Sequence, residues 1–198
     1  KQAFADIQEA LSQACQKFSE NVLDATEQFD YLASSAEVEG LPPDVLATSH
    51  LAALEKNWDG HLLTLKMPCY LPVMQYAHNR ALREKMYRAY TTRASDQASE
   101  AVHGLNNTPV IKEIVTLRAQ EAQLLGFSDY AALSLASKMA DSSEQIAQFL
   151  RQLAAYARPF AEQDLQDMTD FAKSNCGIES LQAWDWLYVS ERLKESRY

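Results

Sequence analysis

The chain has 198 residues, 47% of them hydrophobic, and 18 Lys and Arg against 27 Asp and Glu leave a net charge of −9. That length suits one large or two small domains and buries a core without disulfides or metal. Five Gly and six Pro are too few for the turns of a β-sandwich or barrel, and 3 Trp, 9 Tyr and 7 Phe argue against disorder. The acidic balance argues against a nucleic-acid partner and against an anionic membrane surface.

Phe4, Ile7, Leu11, Ala14 and Phe18 step by 3, 4, 3 and 4, and Val22, Ala25, Phe29 and Leu32 continue the stripe after one stutter. The pattern predicts a long amphipathic helix over 1–38, either packed within its own chain or serving as a coiled-coil arm. Gly40-Leu41-Pro42-Pro43-Asp44 breaks it. Pro and an acid in the first turn then open a second helix, with Ala47, Leu51, Leu54 and Trp58 as its apolar face and Asp59-Gly60 as its end. His61 to Lys66 is the best strand candidate, and a lone strand needs a partner elsewhere. Tyr70 to Ala77 reads as a short helix, and Asn79 caps another in which Leu82, Met86, Ala89 and Tyr90 face the core. The region 42–93 is thus helix, strand, helix.

Residues 94–107 form the clearest loop, with Ser95 to Asn107 longer than an ordinary connection. A helical region over 108–198 follows. Thr108-Pro109 opens a helix through Ile111, Ile114, Val115, Arg118, Ala122 and Leu125 to Gly126. Ser128 caps a short one to Lys138, and Ser142 with Gln145 makes a capping box. The next helix is expected to turn a core stripe of Ile146, Phe149, Leu150, Leu153, Ala157 and Phe160 inward, resuming at Leu165, Met168 and Phe171. Pro159 is expected to bend or interrupt it, and Gly177 to stop it. Asp185 caps a last helix. No internal repeat or low-complexity segment interrupts the series, so the fold class is mainly α, with at most one short strand or hairpin near 61–66.

The chain begins without Met or a signal-peptide pattern and stops inside a helical pattern at Tyr198, so both ends read as cut. Cys15, Cys69 and Cys176 are odd in number, far apart and without a CxxC pair, which fits free thiols in a reducing cytoplasm. No run approaches a membrane span; the longest apolar-rich stretch, Met67 to Ala77, holds two prolines and a Gln.

Chemistry-bearing patterns are scarce. His50, His61, His78 and His103 are 11, 17 and 25 residues apart, so no helix offers an i, i+4 histidine pair to a metal. There is no GxSxG elbow, Walker loop or GxGxxG. Glu37 with Glu39 and Asp164 with Asp167 read as solvated faces. Tyr87, Arg88, Tyr90 and Arg93 read either as a peptide- or partner-contacting surface or as core tyrosines with solvated arginines. Trp184 and Trp186 read as packing anchors before binding residues. No catalytic or metal-ligating residue can be assigned, and the substrate-binding residues are unknown.

Several strings are more specific than their physics: GHLLTLKMPCYLPVM over 60–74, YRAYTTRASD over 87–96, LRAQEAQLLGFSDYA over 117–131 with Lys138-Met139-Ala140, and Trp184-Asp185-Trp186-Leu187-Tyr188. In order and spacing the chain resembles the thimet-oligopeptidase family of zinc metallopeptidases over nearly its whole length, least in its first 35 residues. It is most similar to the bacterial oligopeptidases of that family, with the dipeptidyl carboxypeptidase branch next.

The resemblance implies a large, nearly all-helical cytoplasmic enzyme, split by a channel that admits short peptides. Its zinc is held by two histidines of an HExxH helix and a downstream glutamate, and the motif's own glutamate is the general base. The dipeptide His-Glu occurs nowhere in this sequence, so none of these roles can be carried onto a residue here. What is implied for this chain is an internal fragment upstream of HExxH: helical channel wall, with the 95–107 loop at the channel border, inactive alone and binding no zinc. An excised piece is expected to self-associate through exposed apolar surface. The alternative of another class is a free-standing helical interaction module.

Overall fold

The computed structural model describes residues 2–98 and 104–198. In chain order it has helix α1 (Gln2–Glu27), strand β1 (Tyr31–Ala33), α2 (Pro43–Glu55), β2 (His61–Leu63), α3 (Met67–Tyr76) and α4 (Arg80–Thr92). It continues with α5 (Thr108–Leu124), α6 (Tyr130–Leu135), α7 (Ser143–Cys176), a 3-10 turn (Ala183–Asp185) and α8 (Trp186–Arg197). Among the described residues the architecture is mainly α with one two-stranded antiparallel sheet, its strands joined through α2. Contacts divide the chain into two units: Lys1–Asn21 with Asn106–Gln163, and Val22–Leu105 with Asp164–Tyr198.

In the first unit, α1 and α5 run antiparallel, tied at both ends. Gln8 Nε2 donates to Glu121 Oε1 at 2.6 Å. At the other end Asn21 Nδ2 donates to Asn107 Oδ1 at 2.8 Å, and Asn107 Nδ2 donates to the Phe18 carbonyl at 3.0 Å. Ala14, Ile114 and Ala122 are buried there. Gly126 at φ +82 closes α5, with the Phe127 N–H returning to the Ala122 carbonyl at 2.9 Å.

The second unit holds the main core. Ala33, Val38, Leu41, Leu63, Leu65, Tyr70, Val73, Met74, Ala77, Leu82 and Met86 pack together, drawn from the sheet, α3 and α4. A smaller cluster joins Ala172 and Ile178 to Val189 of α8. Gly40 sits at φ +93 beneath the α3–α4 junction. A Cβ there would fall 2.5 Å from the His78 ring and closer still to the Tyr76 carbonyl, so only glycine fits.

Several expectations are corrected. The first helix stops at Glu27 rather than 38, because Tyr31 to Ala33 pairs with β2 (Tyr31 opposite Leu63, Ala33 opposite His61) and Ala33 enters the core. That pairing is the partner the strand near 61–66 needed; the strand itself is His61–Leu63. On α2 the buried residues are Ser49 and Ala53, whereas Leu51 and Leu54 are exposed, so the expected apolar face points outward. Helix α5 is preceded by Asn107 rather than capped by Thr108, and α6 is capped by Asp129, whose Oδ1 accepts the Ala132 N–H at 2.9 Å. Pro159 does not interrupt α7, which runs 34 residues, and its expected core stripe is exposed at Phe149, Leu150, Leu153, Phe160 and Leu165, leaving Ala172 as its buried residue. Only half of the expected capping box forms: Ser142 Oγ accepts the Gln145 N–H, but the Gln145 side chain accepts from Asp141. The loop expected over 95–107 includes residues 99–103, which lie outside the described residues. Of its far end, Asn107 is buried in the tie to α1.

Candidate functional site

The most heavily determined site in the second unit joins α4 to the turn before α8. Arg80 and Arg83 are one turn apart at the start of α4, where the Asn79 side chain caps the helix by accepting the Leu82 N–H at 3.0 Å. Both arginines converge on Asp185, which is fully buried. Arg80 donates from Nε to both carboxylate oxygens (3.0 and 3.2 Å) and from its terminal nitrogen to Oδ2 at 2.7 Å. Arg83, 1% exposed, donates to Oδ1 at 3.0 Å and to the Ala77 and His78 carbonyls at 2.7 and 3.2 Å. The backbone N–H of Gln182 donates to Oδ2 at 3.0 Å, and the Tyr188 ring lies under the Arg83 guanidinium at 4.0 Å.

The charges respond to these surroundings. Burial pushes the Asp185 carboxyl up, but the hydrogen bonds from Arg80, the Gln182 N–H and Arg83 outweigh it and hold it below the usual carboxylate range. Burial pulls the Arg83 guanidinium down, against Asp185. Its bond to Asp185 raises Arg80. Three cationic and neutral donors on one carboxylate leave it no capacity for a proton-transfer role, so this is a clamp that fixes α4 against the Trp184-Asp185-Trp186 turn. Sequence reading took Asp185 only as a helix cap. Its side chain instead bonds backward to Gln182 and across to α4, and it makes no cap bond to α8.

The Tyr/Arg string lies further along α4. Tyr90 stacks on Tyr70 of α3 (centres 4.2 Å apart, planes 15° apart), and the Arg93 guanidinium covers the other side at 3.6 Å. Arg88 lies 4.9 Å over Trp184, whose ring is 6.2 Å from Tyr87. Tyr87, Tyr90 and Trp184 pack on the main core, while Trp186 is 45% exposed. The rings are core shoulders and the guanidiniums lids upon them. Burial pushes the Tyr70 phenol up to about 12, which keeps it neutral.

The remaining candidates are separate. His50 and His61 come together across α2 and β2; His78 lies against Tyr188; His103 lies outside the described residues. Among the described residues no three His, Cys, Asp or Glu side chains gather where a metal ion could be held. The arrangement therefore does not fit a catalytic zinc with three protein ligands. All three cysteines are free. Cys69 lines a groove of about 380 Å³ between α2 and the segment after β2, with Asp44, Thr48, Leu62 and Lys66. Burial pushes its thiol up, away from the thiolate a nucleophile needs. No described helix is long and apolar enough to cross a membrane.

The model of peptidase family M3 matches residues 73–198. Oligopeptidase A of Salmonella typhimurium is 47% identical over the whole of this chain, which covers 29% of that protein. The organellar oligopeptidase A of Arabidopsis thaliana, chloroplastic and mitochondrial, is 42% identical over the whole chain, covering 25% of its own length. Dipeptidyl carboxypeptidase of Escherichia coli is 30% identical over 82% of this chain and 23% of its own length. The chain thus spans under a third of the curated relatives it matches.

Proposed function

Because the chain belongs to peptidase family M3, we propose that it is the non-catalytic helical portion of an oligopeptidase A-like zinc metallopeptidase that hydrolyses short peptides. The observation that carries this reading is the 47% identity to an oligopeptidase A along the chain's entire length. The missing His-Glu dipeptide supports placing the metal and the general base outside these 198 residues. The family's zinc would be held by residues that this chain does not contain.

The structural contribution proposed for this piece is wall and support. The Asp185 clamp sets α4 against α8, and α7 offers an apolar seam to the rest of the polypeptide. Phe149, Leu150, Leu153, Tyr156 and Phe160 are 57, 56, 49, 77 and 74% exposed. Such a row on one helix calls for a covering partner. Walls of this kind line a channel that admits short unfolded peptides and excludes folded proteins. A cytoplasmic location is proposed with it, in line with the free thiols.

The test is hydrolysis of short blocked peptides by the purified chain in excess zinc. No turnover is expected; turnover that follows the chain through purification overturns the reading. A second branch rests on the lower, 30% identity to a dipeptidyl carboxypeptidase. The full-length enzyme on N- and C-blocked peptides separates the two, because only an endopeptidase cleaves when the C-terminus is blocked.

A further inference from the structure

The fold brings together two histidines that sequence spacing kept apart. His50 is on the exposed side of α2 and His61 opens β2, with ring centres 5.7 Å apart and planes tilted by 48°. Each ring is tied at Nδ1. His50 Nδ1 lies 2.9 Å from the Gly60 carbonyl oxygen, which can only accept, so that nitrogen carries the proton. His61 Nδ1 lies 3.0 Å from Ser49 Oγ. When the Ser49 hydroxyl gives its own proton to the Leu46 carbonyl at 3.1 Å, it accepts from His61. In a neutral imidazole one protonated nitrogen leaves a lone pair on the other. Both Nε2 atoms are therefore open donors of electron pairs, and no described residue engages either.

We infer that His50 and His61 form a two-histidine site for a borderline divalent transition-metal ion, completed by water or an incoming ligand. An Nδ1–H fixed on an oxygen, with Nε2 left free, is how proteins hold histidine for a metal. The spacing agrees. With a metal–nitrogen distance of about 2.0–2.1 Å, each ring centre stands about 3.2 Å from the ion, and two at a tetrahedral angle stand about 5.2 Å apart. The observed separation needs a modest opening of that angle. The two ligands come from a helix and a strand of one core, so the pair is preorganised. No third protein ligand joins them among the described residues, which makes the site open and weaker than a four-ligand structural one. The inference rests on local geometry and stands apart from the peptidase reading.

The experiment titrates the 198-residue chain with NiCl2, chosen because imidazole suits it, following the histidine Hε1 signals by proton NMR and the affinity by calorimetry. The His50 and His61 signals are expected to broaden together, before those of the other two histidines. His50→Gln, at an exposed position that spares the fold, is expected to weaken Ni2+ and Zn2+ binding at least tenfold. His61→Gln is expected to do the same, and Ser49→Ala, which leaves both ligands but frees the His61 ring, to weaken binding severalfold. Simultaneous broadening of all four histidines, or an unchanged isotherm in His50→Gln, overturns the site.

Discussion

Asp185→Asn keeps the shape of the clamp and removes its charge. Arg83 is then left 1% exposed with no counter-ion, still bonded to the Ala77 and His78 carbonyls. Arg80 suffers less, since its side chain is 45% exposed and still reaches the Ser180 carbonyl. Breaking a buried pair by removing one partner costs about 3–5 kcal/mol. At about 2–4 °C per kcal/mol for a chain of this size, Tm falls by about 6–20 °C. Trp58, Trp184 and Trp186 all belong to the second unit, so tryptophan fluorescence reads the loss there, while far-UV circular dichroism reads both units. Acid supplies the control. The folded carboxyl titrates below its unfolded value of about 3.9, so its contribution is complete above that value and is lost as pH falls through the folded one. The gap between wild type and variant should therefore be full at neutral pH and close in acid below about pH 4. A Tm within about 2 °C of wild type at pH 7, or a gap that persists undiminished into strong acid, refutes the reasoning.

Gly40→Ala must force a Cβ into the Tyr76 carbonyl and the His78 ring at a positive φ, and about 2 kcal/mol or more of lost stability is expected in urea unfolding followed by tryptophan fluorescence. Asn107→Ala strands the Asn21 amide and the Phe18 carbonyl in the first unit, at about 1–3 kcal/mol, read by circular dichroism with little fluorescence change. Light scattering should show the chain self-associating as its concentration rises, and Phe149→Glu with Tyr156→Glu should return it to monomer; both residues are exposed, so the fold is spared.

Helix existence was legible wherever period and punctuation agreed. The Asn79 cap and the Gly126 and Gly177 stops all express local chemistry. What sequence missed was set by contacts distant in the chain. The 28–38 stretch continued a helical stripe by spacing, yet Tyr31 and Ala33 gain more by pairing with β2 and entering the core. On α2 the large residues Leu51 and Leu54 marked a false face, because the close approach of β2 admits only the small Ser49 and Ala53. The clamp went unread: Arg80 and Arg83 share one helical face, but nothing local announces that their counter-ion stands about a hundred residues on. The histidine pair was invisible for the same reason: α2 ends at Glu55, before His61 is reached, so no helical spacing relates the two, and only the turn from α2 into β2 brings them together.

The second unit is assembled from two stretches of chain, and this imposes an order on its synthesis. Arg83 leaves the ribosome 102 residues before Asp185. At about 5–20 residues per second that is an interval of about 5–20 s. Throughout it the α3–α4 corner carries a cation that the finished core will bury, with no carboxylate yet made to receive it. The nascent corner must therefore stay hydrated and open around Arg83, and the arrival of Asp185 is the event that lets it close.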